Sequence, residues 1–184
     1  MPHVTRILLI GASPSSQSRT QALLTSVRGW LASTDPTLRF DELNLRDLPA
    51  APLVAADPSD PAIAASLAQL AAADGVVIAT PIYKAAYAGL LKIWLDLLPQ
   101  FGFVDKVVLP LATGGSPAHI LALDYALRPV LSTLGPTHIA NGWVILDQNV
   151  TRTPEGAVVL DAATQTKLRD VVEMFRLSLS LLPQ

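Results

Sequence analysis

A hydroxyl-rich segment follows the first apolar run of the chain and contains the residues best suited to binding an anion. It extends from Ser13 to Thr20 and contains four serines, one threonine and one arginine. At the N-terminus of a helix, backbone N–H groups and the helix dipole attract a phosphate, hydroxyls donate hydrogen bonds, and Arg19 can make a bidentate contact. The segment therefore predicts a site for a phosphate monoester. The alternative is a polar turn in which Ser16 or Ser18 caps the helix.

Two further segments have the composition expected beside a flat ring. In Thr113–Ser116 the two central glycines allow the backbone to approach an aromatic heterocycle closely. In Pro81–Tyr87, Tyr83 and Tyr87 offer stacking surface. Each segment alone is equally compatible with an ordinary turn beside half-buried tyrosines. Together with the phosphate segment they favour a mononucleotide such as FMN.

Several other chemistries are excluded by residue types and spacing. The chain has no cysteine, so disulfides, thiolate metal sites and cysteine nucleophiles are ruled out. His3, His119 and His138 lack metal-ligand spacing, which predicts no metal site. The Ser13 context, Gly-Ala-Ser-Pro-Ser, differs from the G-x-S-x-G elbow of serine hydrolases, and the phosphate segment lacks the Walker and G-x-G-x-x-G patterns. A net charge of -2 gives no basic stripe for nucleic acid.

Alternating apolar strands and helices must position these segments. The predicted strands are Val4–Ile10, Leu38–Leu45, Gly75–Thr80, Lys106–Thr113 and His138–Leu146. A helix follows the phosphate segment, and the others are Ala62–Ala73, Ala88–Leu98, Ala118–Leu134 and Asp161–Leu182. Residues 47–61 are predicted to be a loop, and Thr153–Gly156 a turn of a small hairpin. The pattern predicts one domain over residues 1–184, a doubly wound α/β sandwich of three layers.

Two prolines fall inside predicted elements. Pro110 has no N–H for the sheet ladder, so its strand is expected to show a bulge or a missing bond. Pro129 lies within the helix Ala118–Leu134, where it has no N–H for the carbonyl of Tyr125 and its ring clashes there. The helix is therefore expected to be irregular at Tyr125. The alternative is a simple proline kink with Tyr125 as an ordinary packed aromatic.

The most apolar stretches do not have the form of membrane spans. Ala85–Pro99 contains two charged residues, and Val107–Leu123 is interrupted by prolines and glycines. The run Ile7–Ala12 is too short for the core of a signal peptide. We therefore expect a soluble, cytoplasmic protein. The helix Ala88–Leu98 is apolar nearly all round, which favours a subunit interface, with burial inside one subunit as the alternative.

A family resemblance is carried by three stretches of the chain, Gly11–Pro14, Thr80–Gly89 and Lys106–Leu131. They resemble the NADPH-dependent FMN reductases of the flavodoxin-like superfamily, and most of all the reductase components of two-component alkanesulfonate monooxygenase systems. The resemblance covers most of residues 4–146. Family members often have an arginine where this chain has Ser15, which leaves the neutralisation of phosphate charge to Arg19.

The resemblance implies a five-stranded parallel sheet of order 2-1-3-4-5, with FMN at the strand tips and NADPH or NADH as hydride donor. The FMN-binding residues that it implies are Ser13, Ser18, Arg19, Thr20, Pro81, Ile82, Tyr83, Lys84, Thr113, Gly114, Gly115 and Ser116. It also implies that Tyr125 is an inserted residue, forming a π-bulge at a homotetramer interface near the flavin and acting in flavin exchange. Reduced FMN would pass to a partner flavin-dependent monooxygenase of sulfur metabolism.

The flavin itself accepts the hydride, so no acid–base pair is expected in such an enzyme. Two alternatives stay open at this point. One is a quinone, azo-dye or metal-ion reductase that keeps FMN as a prosthetic group. The other is a flavodoxin-like electron carrier, although carriers of that kind are strongly acidic and a net charge of -2 counts against one.

Overall fold

The computed structural model describes residues 4–16, 18–153 and 158–182, in which strands and helices alternate. The strands are β1 (Arg6–Gly11), β2 (Arg39–Asn44), β3 (Gly75–Tyr83), β4 (Ala86–Tyr87), β5 (Val107–Gly114), β6 (His138–Ile139), β7 (Trp143–Leu146), β8 (Val150–Arg152) and β9 (Val158–Leu160). The α-helices are α1 (Arg19–Thr34), α2 (Ala50–Val54), α3 (Pro61–Ala71), α4 (Gly89–Leu95), α5 (Arg128–Thr133) and α6 (Ala162–Ser178). A π-helix spans Leu123–Leu127, and one-turn 3-10 helices span Leu45–Asp47, Pro117–His119, Asp147–Asn149 and Leu179–Leu181.

The central sheet is parallel and has the order β2-β1-β3-β5, with β6 and β7 both beside β5 at its far edge. β6 pairs with the first residues of β5 and β7 with its last four. The last parallel strand is thus present in two pieces, and the predicted flavodoxin-like order 2-1-3-4-5 is confirmed. β4 is an antiparallel addition to the end of β3, and β8 and β9 form a separate hairpin.

Both faces of the sheet are covered, so strand residues alternate between two apolar cores. Leu8 and Ile10 belong to the core covered by α2, α3, α4 and α5, in which Trp94 is fully buried. Ile7 belongs to the core on the other face, covered by α1 and α6, in which Phe175 is fully buried. A parallel sheet buried on both faces explains the continuous apolar runs of β3 and β5. The three-layer architecture is confirmed.

Pro110 marks the place where the last strand breaks. The register between β3 and β5 runs through it without a bulge, Pro110 lying opposite Ile78. On the other side, β5 has no paired residue between the end of β6 and the start of β7. This gap is expected where the N–H of Pro110 is missing. The Arg128 guanidinium donates instead to the carbonyl oxygens of Ile139 (3.2 Å) and Ala140 (3.1 Å). Backbone acceptors freed by the interruption are thus satisfied by a side chain.

Some predicted elements differ from the structure. Residues 47–61, predicted as a loop, contain α2, a short helix that buries Leu53. The helix predicted over Ala88–Leu98 ends at Leu95, and its buried side packs inside this same chain. The β8–β9 hairpin is confirmed, whereas all of its predicted turn after Thr153, like His3, lies outside the described residues. In the described ranges, no helix is both long enough and apolar enough to cross a membrane.

Candidate active site

The segment after β1 leads into the N-terminus of α1. Ser18 is the N-cap, and its Oγ accepts a hydrogen bond from the backbone N–H of Gln21 (3.3 Å). The hydroxyls of Ser18 and Thr20 are hydrogen-bonded to each other. The backbone N–H of Ser15 donates to the Ser13 Oγ (3.2 Å). Three side-chain hydroxyls therefore gather at the positive end of a four-turn helix, which is where an anion is stabilised.

A cavity of about 180 Å³ opens beside this helix end at the carboxyl edge of the sheet. Its walls come from the segment after β1 and from the ends of β3, β5 and β7. The lining residues are Ser13, Ser15, Ser18, Arg19, Thr20, Pro81, Ile82, Tyr83, Thr113, Gly114 and Asp147. Nine predicted site residues are thus brought together. Three others, Lys84, Gly115 and Ser116, lie one or two positions beyond lining residues in the chain without lining the cavity themselves.

The strained hairpin of β3 and β4 forms one wall of this cavity. Ile82 pairs with Tyr87, and the two-residue turn between the strands, Lys84 and Ala85, has φ angles of 50° and 62°. A type I′ turn requires positive φ at both positions, which costs roughly 1–2 kcal/mol for each residue with a Cβ. The buried Thr80 hydroxyl ties the hairpin down by accepting from the N–H of Ala88 (3.0 Å).

The two predicted tyrosines of this hairpin differ in exposure. Tyr83 is 50% exposed at the mouth of the cavity, so its ring is accessible to a ligand. Tyr87 is half-buried, and this burial raises the pKa of its phenol above the usual range. Tyr83 is therefore the better placed of the two for stacking.

The two glycines at the end of β5, Gly114 within the strand and Gly115 just after it, are not required by the packing of the chain itself. A Cβ built on Gly114 would lie 3.6 Å from the nearest atom of Ile82, and one on Gly115 would lie 3.7 Å from the Asp147 Oδ2. Both are ordinary van der Waals distances. Glycine at these positions leaves the backbone free for close approach by a planar group. Ser116 caps the following 3-10 helix by accepting from the N–H of Ala118 (3.2 Å).

Two charged residues near the phosphate segment were missed by the sequence analysis. Asp147 follows β7 and lines the cavity, where its Oδ2 lies 3.6 Å from the Arg19 Nη1. Arg46 follows β2 and lines a small cleft beside the same serines, with its Nε 3.4 Å from the Asp47 Oδ1. Both lie within two residues of the end of a strand at this edge, a position where ligand-binding residues are expected in such sheets. That rule, applied to every predicted strand, is the signal that could have found them.

The predicted irregularity at Tyr125 is confirmed as a π-helix. The N–H of Arg128 donates to the carbonyl of Leu123, five residues earlier, and the Asp124 Oδ1 lies 3.1 Å from the Arg128 Nε. β4 packs against this π-helix, so the hairpin of the cavity and the π-helix are neighbours. Tyr125 itself is 78% exposed and does not line the cavity.

The donor set fits FMN better than it fits a metal. Hydroxyls, a helix N-terminus and an arginine suit a phosphate monoester, and the glycine segment and Tyr83 suit a planar ring. Within the described ranges, no three His, Asp or Glu side chains are grouped so as to hold a metal ion. The fold and this site together define a flavodoxin-like domain whose sheet carries, at its carboxyl edge, a cavity suited to a phosphate monoester with a planar ring.

Comparison with known proteins agrees with that class. The family model for NADPH-dependent FMN reductases matches residues 5–151. An FMN reductase (NADPH) of Pseudomonas putida is 39% identical over 180 residues, covering 97% of this chain and 90% of that protein. An FMN reductase (NADPH) of Escherichia coli is 42% identical over 168 residues, covering 88% and 87%. The solved apo form of an NADH:FMN oxidoreductase (EMOB) has a TM-score of 0.86 at 36% identity, covering 98% and 91%.

The chain therefore belongs to the NADPH-dependent FMN reductase family. It is an NAD(P)H:FMN oxidoreductase, with FMN and a nicotinamide nucleotide as its cofactors.

Proposed function

We propose that this enzyme takes up FMN as a substrate in the cytoplasm, reduces it with NADPH or NADH, and supplies reduced FMN to a flavin-dependent monooxygenase of the alkanesulfonate type. The exposure of the site is the observation that supports release. The Tyr83 residue at the mouth of the cavity and the Arg19 side chain on its wall are each 50% exposed. A nucleotide bound by these two residues would stay accessible to solvent, which supports exchange over permanent retention.

The roles of the side chains follow from their positions. Ser18, Thr20 and Arg19 hold the phosphate at the N-terminus of α1. Tyr83 and the backbone after β5 orient the ring at the mouth of the cavity. FMN, when bound, supplies the hydride acceptor, so the protein binds and orients the two nucleotides and needs no general acid or base.

The exposed residues of the π-helix and the segment before it bear on how copies of the chain assemble. We propose that Tyr125 lies in a homotetramer interface and controls flavin exchange. Its neighbours Ile120 and Leu121 are also more than half exposed, so an apolar patch adjoins the helix that packs on β4. Exposed apolar surface of this kind is typical of an interface. In Tyr125→Ala we expect retained FMN and reduced NADPH-oxidase turnover, measured together with the oligomer mass. A colourless variant with unchanged turnover and assembly would show that Tyr125 has no such role.

Steady-state oxidation of NADPH and NADH, with free FMN or with a quinone as acceptor, tests the proposed activity. We expect purified protein to be largely colourless and to oxidise the nicotinamide only when FMN is added. Coupling to an alkanesulfonate monooxygenase, with sulfite release as the readout, tests delivery of reduced flavin. A yellow protein that reduces quinones without added FMN would favour the reductase with a prosthetic flavin instead.

A further inference from the structure

The ion pair between Arg19 and Asp147 crosses the cavity from one wall to the other. Arg19 belongs to the first turn of α1, next to β1, whereas Asp147 directly follows Leu146, the last residue of β7. Leu146 pairs with Gly114 in the parallel ladder, so the position of Asp147 is fixed by the sheet. Among the described lining residues, these two are the charged ones, and their side chains are 50% and 37% exposed.

We infer that Asp147 is an affinity-determining residue that keeps FMN binding weak, an inference that rests on the proposed use of FMN as a released substrate. The phosphate of FMN and the Asp147 carboxylate compete for one guanidinium. A phosphate that contacts Arg19 comes within a few ångströms of the Asp147 carboxylate, whose Oδ2 lies 3.6 Å from the Arg19 Nη1. The carboxylate lowers the affinity for FMN by withdrawing Arg19 and by repelling the phosphate.

The effect of Asp147 should be selective for a flavin that carries a phosphate. Riboflavin has the ring and the ribityl chain of FMN but no phosphate, so Asp147 has no anion to oppose when riboflavin binds. One unit charge at about 4 Å in a solvated site corresponds to roughly a fivefold change in the dissociation constant. The exposure of both side chains makes the effect sensitive to salt.

Dissociation constants for FMN and riboflavin, from quenching of flavin fluorescence without nicotinamide, provide the test. In Asp147→Asn we expect FMN to bind about fivefold more tightly at low salt, riboflavin to change less than twofold, and the gain for FMN to shrink at high salt. Asp147→Glu, which keeps the charge, should bind FMN like the unaltered protein. If Asp147→Asn does not fold, Asp147→Ser serves the same purpose.

Asp96→Asn is the matched control, because Asp96 also forms an exposed ion pair, with the Lys92 Nζ at 2.6 Å on α4, and does not line the cavity. It should leave both constants unchanged. The inference is overturned if Asp147→Asn binds FMN no more tightly, or if riboflavin gains as much as FMN. Turnover of unaltered protein with NADPH and FMN is measured separately. Absence of that activity would refute the proposed function. Equal FMN dissociation constants for the unaltered protein and Asp147→Asn would refute only the role of Asp147.

Discussion

The two edges of the sheet each hold a cation beside a helix end, in opposite surroundings. At the carboxyl edge, Arg19 occupies the first turn of α1, and its side chain is half exposed. At the amino edge, Lys106 is buried, and its Nζ donates to the carbonyl oxygens of Ala71 (3.2 Å) and Ala73 (2.6 Å) at the end of α3. Since the N-terminus of a helix is its positive end, Arg19 lies where a cation is unfavourable and Lys106 where one is favourable.

The different surroundings indicate different roles: Lys106 stabilises the fold, and Arg19 is available to bind a ligand. Lys106 donates to two backbone carbonyls, and burial lowers the pKa of its ammonium group against the opposing effect of the Asp74 and Asp105 carboxylates. The Arg19 Nη1 lies 3.6 Å from the Asp147 Oδ2, and the first turn of α1 contains no acidic residue. A cation at the positive end of a helix is stabilised by a bound anion, which is the role that we propose for it.

Lys106→Met has the largest expected effect, and the effect is on stability. The substitution leaves two carbonyl oxygens at the end of α3 without their donor, which costs about 3 kcal/mol of the free energy of unfolding. Urea denaturation measures this loss, and affinity for FMN should not change. Lys167→Met, on the exposed side of α6, is the control and should cost little. A similar loss of unfolding free energy in both variants would show that Lys106 has no special stabilising role at the amino edge.

Arg19→Ala has the next largest effect, and this effect is on binding. A charge-assisted contact to phosphate contributes about 1.5–3 kcal/mol, so FMN affinity should fall roughly tenfold or more, while riboflavin affinity stays the same. Fluorescence titration with both flavins measures the difference. Arg28→Ala, on the same helix and paired with Glu42 at 3.2 Å, is the control. Equal losses for FMN and riboflavin would contradict a phosphate contact.

Comparing the residues at the carboxyl edge also shows which features of the site can be predicted from the sequence. Arg19 was predicted because it stands in a hydroxyl-rich segment between a strand and a helix, a local pattern. Asp147 and Arg46 were missed because only the alignment of strand ends brings them to the same edge. The missing ladder bond at Pro110 was predicted, since a missing N–H is a local fact, whereas the division of the strand predicted over His138–Leu146 and the contacts that Arg128 makes there depend on tertiary structure. Local constraints and the segments that follow strands can therefore be predicted from the sequence, whereas the contact of one particular side chain with a distant segment cannot.

Arg46→Ala tests whether a second cation serves the phosphate. Arg46 lies at the carboxyl edge, beside Ser13 and Ser15, but its Nε is already 3.4 Å from the Asp47 Oδ1. We expect FMN affinity to fall about threefold, corresponding to roughly 0.7 kcal/mol, and riboflavin affinity to be unaffected. Arg39→Ala, at the opposite end of β2, is the control. A loss larger than that of Arg19→Ala would transfer the main phosphate contact to Arg46.

The smallest expected effect isolates the helix dipole. In the intact chain, removing Arg19 loses both its unfavourable position at the N-terminus of α1 and its ion pair with Asp147, and the two contributions oppose each other. In an Asp147→Asn background the ion pair is already absent. There, Arg19→Gln should raise the free energy of unfolding by about 0.5 kcal/mol, because only the repulsion between the cation and the dipole is removed. Replicate urea denaturation without flavin measures this gain. A decrease of the same size would mean that Arg19 stabilises the fold as Lys106 does, and the two edges would then not differ in kind.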